Sequence, residues 1–200
     1  AKGEDAKAME YATDVWWAVV KQLQPDAVRA ILGPDVRWVG NEAGVAPETL
    51  WSPEEGEWRP AETDTSIRPG WYWHADESPK SVKKLVDIYF NSVGRNSVLL
   101  LNVPADKRGL LAEKDVKRLQ EVRAVLDAIF GENLASGAEA QADTVRGGAE
   151  AHFGPELVLD GDFQTYWAPS ADAGRGAVEL DLGSAGTFNV ISLQEPIQMG

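Results

Sequence analysis

The 200-residue chain has an ordinary globular composition, 44% hydrophobic and 26% charged. Its 19 basic and 32 acidic residues leave a net charge of −13, which argues against nucleic-acid partners and anionic membrane surfaces. The absence of cysteine excludes disulfides, thiol nucleophiles and thiolate metal sites, the two histidines are too few for a His-rich metal centre, and no apolar run approaches the ~20 residues of a membrane span. Tryptophan is the unusual count: seven of the eight lie between Trp16 and Trp73, and Trp167 stands alone. Clusters of this large apolar ring with one donor serve either cores or sugar-stacking surfaces.

In chain order, residues 8–23 predict an amphipathic helix, with Ala12, Trp16, Val19, Val20 and Leu23 at helical spacing and Pro25 as its stop. Residues 27–32 predict a short strand ended by Gly33-Pro34, and 36–39 a second extended run leading into Gly40-Asn41-Glu42-Ala43-Gly44. The Pro, Glu, Gly and Thr of 44–65 predict a long loop, and 66–73 a strand interrupted at Pro69-Gly70. A second helix is expected over 81–93 with Gly94 as its left-handed cap. The run Ser-Val-Leu-Leu-Leu-Asn-Val at 97–103 reads as a strand buried on both faces, followed by a turn at 106–109 and a third helix over 111–130. This alternation argues for a parallel α/β sheet with crossover helices, whose chemistry lies in the loops beyond the strands.

After Gly131 the pattern changes. Residues 132–156 are Ala/Gly/Glu-rich and read as a linker, and from Leu157 short extended pieces alternate with turns, as at the start of a β-sandwich. Strands are expected at 157–159, 177–182 and 188–193 around the turn Asp160-Gly161-Asp162.

Three clusters combine aromatic and charged residues: Gly33 to Gly44, Trp58 to Asp64, and Ile67 to His74. In the first, Glu42 and Arg37 can bond the hydroxyls of a polyol while Trp38 covers a C–H face. A single loop carboxylate is ordinarily a solvated or capping group, and a single Trp ordinarily packs; three such clusters within one stretch weigh towards a sugar site.

These residues resemble the α-L-fucosidases of glycoside hydrolase family 29, in its plant and Bacteroides-like branch acting on α1,3/1,4-linked fucose. The likeness is carried by Arg37-Trp38-Val39-Gly40-Asn41-Glu42, Ser66-Ile67-Arg68-Pro69-Gly70-Trp71, and Tyr89 to Asn96 followed by Leu99-Leu100-Leu101-Asn102-Val103-Pro104. The resemblance implies a (β/α)8-type barrel and retaining hydrolysis through an Asp nucleophile and a Glu acid/base, needing no cofactor. In such enzymes the two carboxyls sit ~5–5.5 Å apart. It marks Glu42 as the general acid/base, with Glu62 the rival, Arg37 as a contact to fucose hydroxyls, and Trp71 as packing on the sugar's C5-methyl side. Asp64 and Arg68 are expected as a structural ion pair or loop anchors, and His74 as a loop histidine. The family's nucleophile falls just ahead of Ala1, so the chain is expected to be a fragment, inactive alone: the C-terminal half of a barrel over 1–131, a linker over 132–156, and part of a sandwich over 157–200.

That last segment resembles a galactose-binding-like, discoidin-type module, which implies a possible structural Ca²⁺ at Asp160, Asp162 and Thr165; a simple Asp-Gly turn is the competing reading. Trp167 is expected in its core. The implied partner is a fucosylated oligosaccharide or glycoconjugate, and the expected location is secreted or periplasmic. The alternative from another class is a non-catalytic carbohydrate-binding or structural fragment.

Overall fold

A computed structural model of the chain describes residues 12–30, 35–48, 59–148 and 152–196. The chain divides into two compact units, residues 1–125 and 126–200, a division that falls ahead of the expected boundary at Gly131.

The first unit is α/β. Its sheet is parallel, in the order β1 (Arg37–Trp38), β2 (Ala61–Ser66), β3 (Ser97–Asn102), with Trp38 opposite Glu62 and Ser66 opposite Asn102. Helix α2 (Val82–Ser92) forms the crossover between β2 and β3, which parallel neighbours require. Ile67, Leu85 and Ile88 make the core, and Leu99, Leu101, Leu119 and Val122 pack against it.

β2 lies at the end of the expected loop, and the expected strand over 66–73 contributes only its first residue. Its sequence, Ala-Glu-Thr-Asp-Thr-Ser, carries no hydrophobic alternation. Its buried face consists instead of Ala61, Thr63 and Thr65. The buried hydroxyls are satisfied across the sheet: Thr63 donates to the Val98 carbonyl at 3.1 Å, and Ser97 donates to the Ala61 carbonyl at 3.2 Å. Polar residues can therefore build an inner strand where the neighbouring strand supplies acceptors.

Within these 200 residues the core covers one face of β3. Leu99 and Leu101 reach the core, while Val98 and Leu100 are 52% and 56% exposed. Alternation along the strand separates the two sets. An apolar run alone does not reveal which side the core covers.

α2 begins as expected, with the Ser81 hydroxyl accepting from the Lys84 N–H at 3.2 Å. A 3₁₀ turn over Val93–Arg95 prolongs it, so the left-handed residue is Asn96, with φ of 59°, and not Gly94. Asn tolerates that conformation because its short polar side chain bonds locally.

Helices α1 (Thr13–Leu23) and α3 (Glu113–Phe130) lie within their expected ranges. α1 has no buried residue, and Val15, Trp16, Val19 and Leu23 are exposed: the periodicity marks a face but not what covers it. Residues 27–30 are irregular, and the rest of that expected strand lies outside the described residues. No helix among the described residues is long and apolar enough to cross a membrane.

The second unit contains an antiparallel pair, β4 (Glu139–Ala142) and β5 (Val178–Asp181), with Glu139 opposite Asp181 and Ala142 opposite Val178. β4 lies inside the expected linker; its strand state depends on pairing with a segment some forty residues away in sequence. Residues 155–158 form a 3₁₀ turn where a strand was expected, and 188–193 are irregular. Trp167 is half-buried and donates to the Thr144 carbonyl at 3.1 Å, in keeping with a packing role.

Candidate active site at the strand ends

The C-terminal ends of β1 and β2 lead into the two loops that carry the strongest candidates. After β1, Asn41 makes a tight turn: its side-chain oxygen accepts from the Ala43 N–H at 3.1 Å and its amide donates to the Val45 carbonyl at 3.2 Å. Gly44 follows with φ of 68°, its N–H donating to the Asp64 carbonyl at 3.1 Å. A Cβ here would stand 2.8 Å from Ile88 Cγ2 and 3.0 Å from Thr65 Cγ2, so the position demands glycine twice over. The loop is fastened beyond it, where the Ala46 N–H donates to the Asn91 carbonyl at 2.7 Å and Arg95 Nη1 donates to the Ala46 carbonyl at 2.8 Å.

Glu42 stands exposed in this clamped loop, and its Oε2 accepts from Trp71 Nε1 at 3.1 Å. Two residues that are distant in sequence are thus brought together from the loops after β1 and β2. Trp71 is itself tied to the sheet: Asn102 Nδ2, at the end of β3, donates to its carbonyl at 3.1 Å and to Ser66 Oγ at 3.0 Å. Asn102 closes a motif visible in the sequence, although nothing in the sequence assigns it a role; the one signal is a polar residue ending an apolar strand.

Trp38 is half-buried and donates to Asp64 Oδ1 at 2.6 Å. Asp64 therefore pairs with an indole and not with Arg68. The partner of Arg68 is Asp115, with Nε to Oδ2 at 2.9 Å, while Nη1 bonds the carbonyls of His74 and Glu77 and the guanidinium lies 5.9 Å from the centre of the Trp73 ring. Arg68 is a loop anchor, and exposed His74 contributes only its carbonyl to it. Lys80 secures the same loop by donating to the carbonyls of Ser66 and Arg68, and burial lowers its pKa.

Glu62 shares a register row with Trp38, four residues before the end of β2. At ~3.3 Å per residue that is about 13 Å below the strand end where Trp71's anchor sits. Arg37 lies in the row of Ala61, on the opposite side of the pleat from Trp38. Glu42 and Trp71 are thus joined at the strand ends, whereas Arg37 and Glu62 belong to the body of the sheet. Trp58 lies outside the described residues.

The Asp160 turn is closed by its own side chains. Asp160 accepts from the Asp162 N–H at 2.8 Å and from the Thr165 hydroxyl at 2.5 Å, and Asp162 accepts from the Gln164 N–H at 2.8 Å. The Thr165 bond is the main reason the Asp160 carboxyl is held below its ordinary range. Among the described residues no group of three or more His, Cys, Asp or Glu could hold a metal ion.

Comparison with known proteins places the chain in a family. A family model described as Alpha-L-fucosidase matches residues 10–129. The chain is 44% identical to Alpha-L-fucosidase 1 of Arabidopsis thaliana over its full length, and spans 44% of that curated relative. Among solved structures, SpGH29 is similar with a TM-score of 0.78 at 36% identity, over 92% of this chain and 44% of that one. A Ruminococcus gnavus GH29 fucosidase in complex with fucose gives a TM-score of 0.78 at 32% identity, over 92% of this chain and 43% of the other. On the family match across more than half its length, with the strand-end motifs that prompted the expectation, the chain belongs to the GH29 alpha-L-fucosidase family.

Proposed function

We propose that the whole protein is a retaining alpha-L-fucosidase that releases terminal alpha-L-fucosyl groups from fucosylated oligosaccharides or glycoconjugates, with Glu42 as its general acid/base. The observation that carries this reading is the Trp71–Glu42 bond, which holds an exposed carboxylate beyond the C-terminal end of a parallel sheet. In α/β barrels that is the end where catalytic groups gather. The depth of Glu62 in β2 favours Glu42 over its rival. A neighbouring fucosidase that binds fucose supports the substrate class.

In the proposed reaction an Asp carboxylate attacks the anomeric carbon while Glu42 gives its proton to the glycosidic oxygen, and the bond to the leaving alcohol breaks. The covalent fucosyl-enzyme is then attacked by water, whose proton passes to Glu42 as the Asp leaves. We assign that Asp to a position ahead of the stretch starting at Ala1, so the 200 residues alone turn over no aryl fucoside.

The test uses a catalytically competent protein carrying this span. Glu42→Ala should lower turnover of a fucosylated oligosaccharide by roughly 10²–10⁴-fold. Azide should restore activity on an activated aryl fucoside, giving fucosyl azide of retained configuration. Rescue in Glu62→Ala but not in Glu42→Ala would move the acid/base role to Glu62.

A further inference from the structure

We propose that Asn102 is a positioning residue for Glu42, acting through Trp71. This rests on the assignment of Glu42 above and extends it to a residue that touches neither substrate nor the reacting atoms. The chain of contacts is short. The Asn102 amide donates both its protons, one to Ser66 Oγ at 3.0 Å and one to the Trp71 carbonyl at 3.1 Å, and the Trp71 indole donates to Glu42 Oε2 at 3.1 Å.

Each link has a physical reason. Ser66 and Asn102 are register partners at the ends of two parallel strands, so the amide begins from a hydrogen-bonded sheet. The Asn102 backbone belongs to the same lock, since its carbonyl accepts from the Ile67 N–H at 2.9 Å. Trp71 lies in a bend outside regular structure and is 39% exposed, so packing alone does not fix its ring. The amide fixes the Trp71 peptide, and the indole N–H then restrains one oxygen of an otherwise exposed carboxylate. A general acid must hold its proton within hydrogen-bond reach of the leaving oxygen, and a loose carboxylate samples that geometry less often.

A residue acting through the acid matters in proportion to how far the leaving group needs a proton. In the competent protein, Asn102→Asp keeps the size but removes the donating amide. It should lower kcat/KM for a fucosylated oligosaccharide by roughly tenfold, about one hydrogen bond's worth. For an aryl fucoside whose phenolate departs without protonation, the same variant should stay within about twofold. Ser66→Ala, which removes one of the two acceptors that orient the amide, should show the same selectivity, and the double variant should be no worse than the more impaired single one, because both act along one path.

Equal losses on both substrates, or additive losses in the double variant, would overturn the proposal and leave Asn102 a purely structural residue. If Asn102→Asp does not fold, Ser66→Ala carries the same test. Glu42→Ala separates the two layers: its retained activity on oligosaccharides defeats the acid/base assignment itself, whereas its loss together with an unselective Asn102 variant defeats only the positioning role.

Discussion

Arg68 Nε donates to Asp115 Oδ2 at 2.9 Å, and the two side chains are 2% and 0% exposed. This pair joins the loop after β2 to the first turn of α3, and the carbonyls of His74 and Glu77 take up further guanidinium protons. Through Arg68 the segment carrying Trp71 has a fixed base, three residues from the indole that bonds Glu42.

Breaking this pair by removing one partner should be costly, since an ion is then left buried without its counter-charge. Asp115→Ala is expected to destabilise the protein by about 3–5 kcal/mol. The double substitution Arg68→Met with Asp115→Leu should cost less than Asp115→Ala alone, because no charge stays buried. Urea unfolding of the two variants beside the unsubstituted protein measures both differences; an Asp115→Ala loss below about 1 kcal/mol would place the pair among ordinary surface bridges.

Gly44 joins the loop carrying Glu42 to the sheet and helix beneath it. Gly44→Ala must adopt φ of 68° and place a methyl 2.8 Å from Ile88 Cγ2. The backbone conformation and the overpacking are each expected to cost about 1–3 kcal/mol. Activity should fall with stability, as displacement of the loop moves Glu42 from the Trp71 indole. A thermal melt of Gly44→Ala matching the unsubstituted protein would refute this account of the loop.

Acid should loosen the approach to β1. Asp35 receives Arg29 Nε at 2.8 Å, Nη2 at 2.8 Å and the Arg29 backbone N–H at 3.0 Å. The guanidinium bonds come first and the backbone bond second in holding the Asp35 carboxyl far below its ordinary range. A depressed folded pKa means that the clamp's stabilisation is complete above the unfolded value, ~3.9, and is lost as pH falls towards the folded one. The stability difference between the unsubstituted protein and Asp35→Asn should therefore be constant near neutrality and shrink below about pH 4. Denaturation midpoints taken from pH 7 down to pH 2.5 read it, and a difference that grows in acid would reverse the sign.

Much of this protein was legible where a residue's role is local. Helical periodicity gives α2, the apolar run gives β3, and Asn41-Glu42-Ala43-Gly44 marks a loop bearing a carboxylate. β2 was hidden because its buried face is made of threonines, whose burial depends on acceptors in another strand. β4 was hidden for the same reason, since Glu-Ala-Gln-Ala becomes a strand only beside Val178–Asp181. Of the two roles expected for Asp64 and Arg68, the anchor holds for Arg68 and the mutual ion pair does not: a sequence shows proximity along the chain, while Asp115 comes close only when α3 returns to the sheet.

The sequence by itself determined the acidic, cysteine-free chemistry, the family and the presence of a carboxylate, Glu42, in the loop after the first strand, because composition and contiguous motifs survive without coordinates. Only the tertiary structure decided which indole bonds that carboxylate, which amide holds the indole's backbone and which acid neutralises Arg68. Each of those contacts spans 29 to 47 residues. Long-range contacts are set by the crossing of elements in space, and no local pattern encodes them.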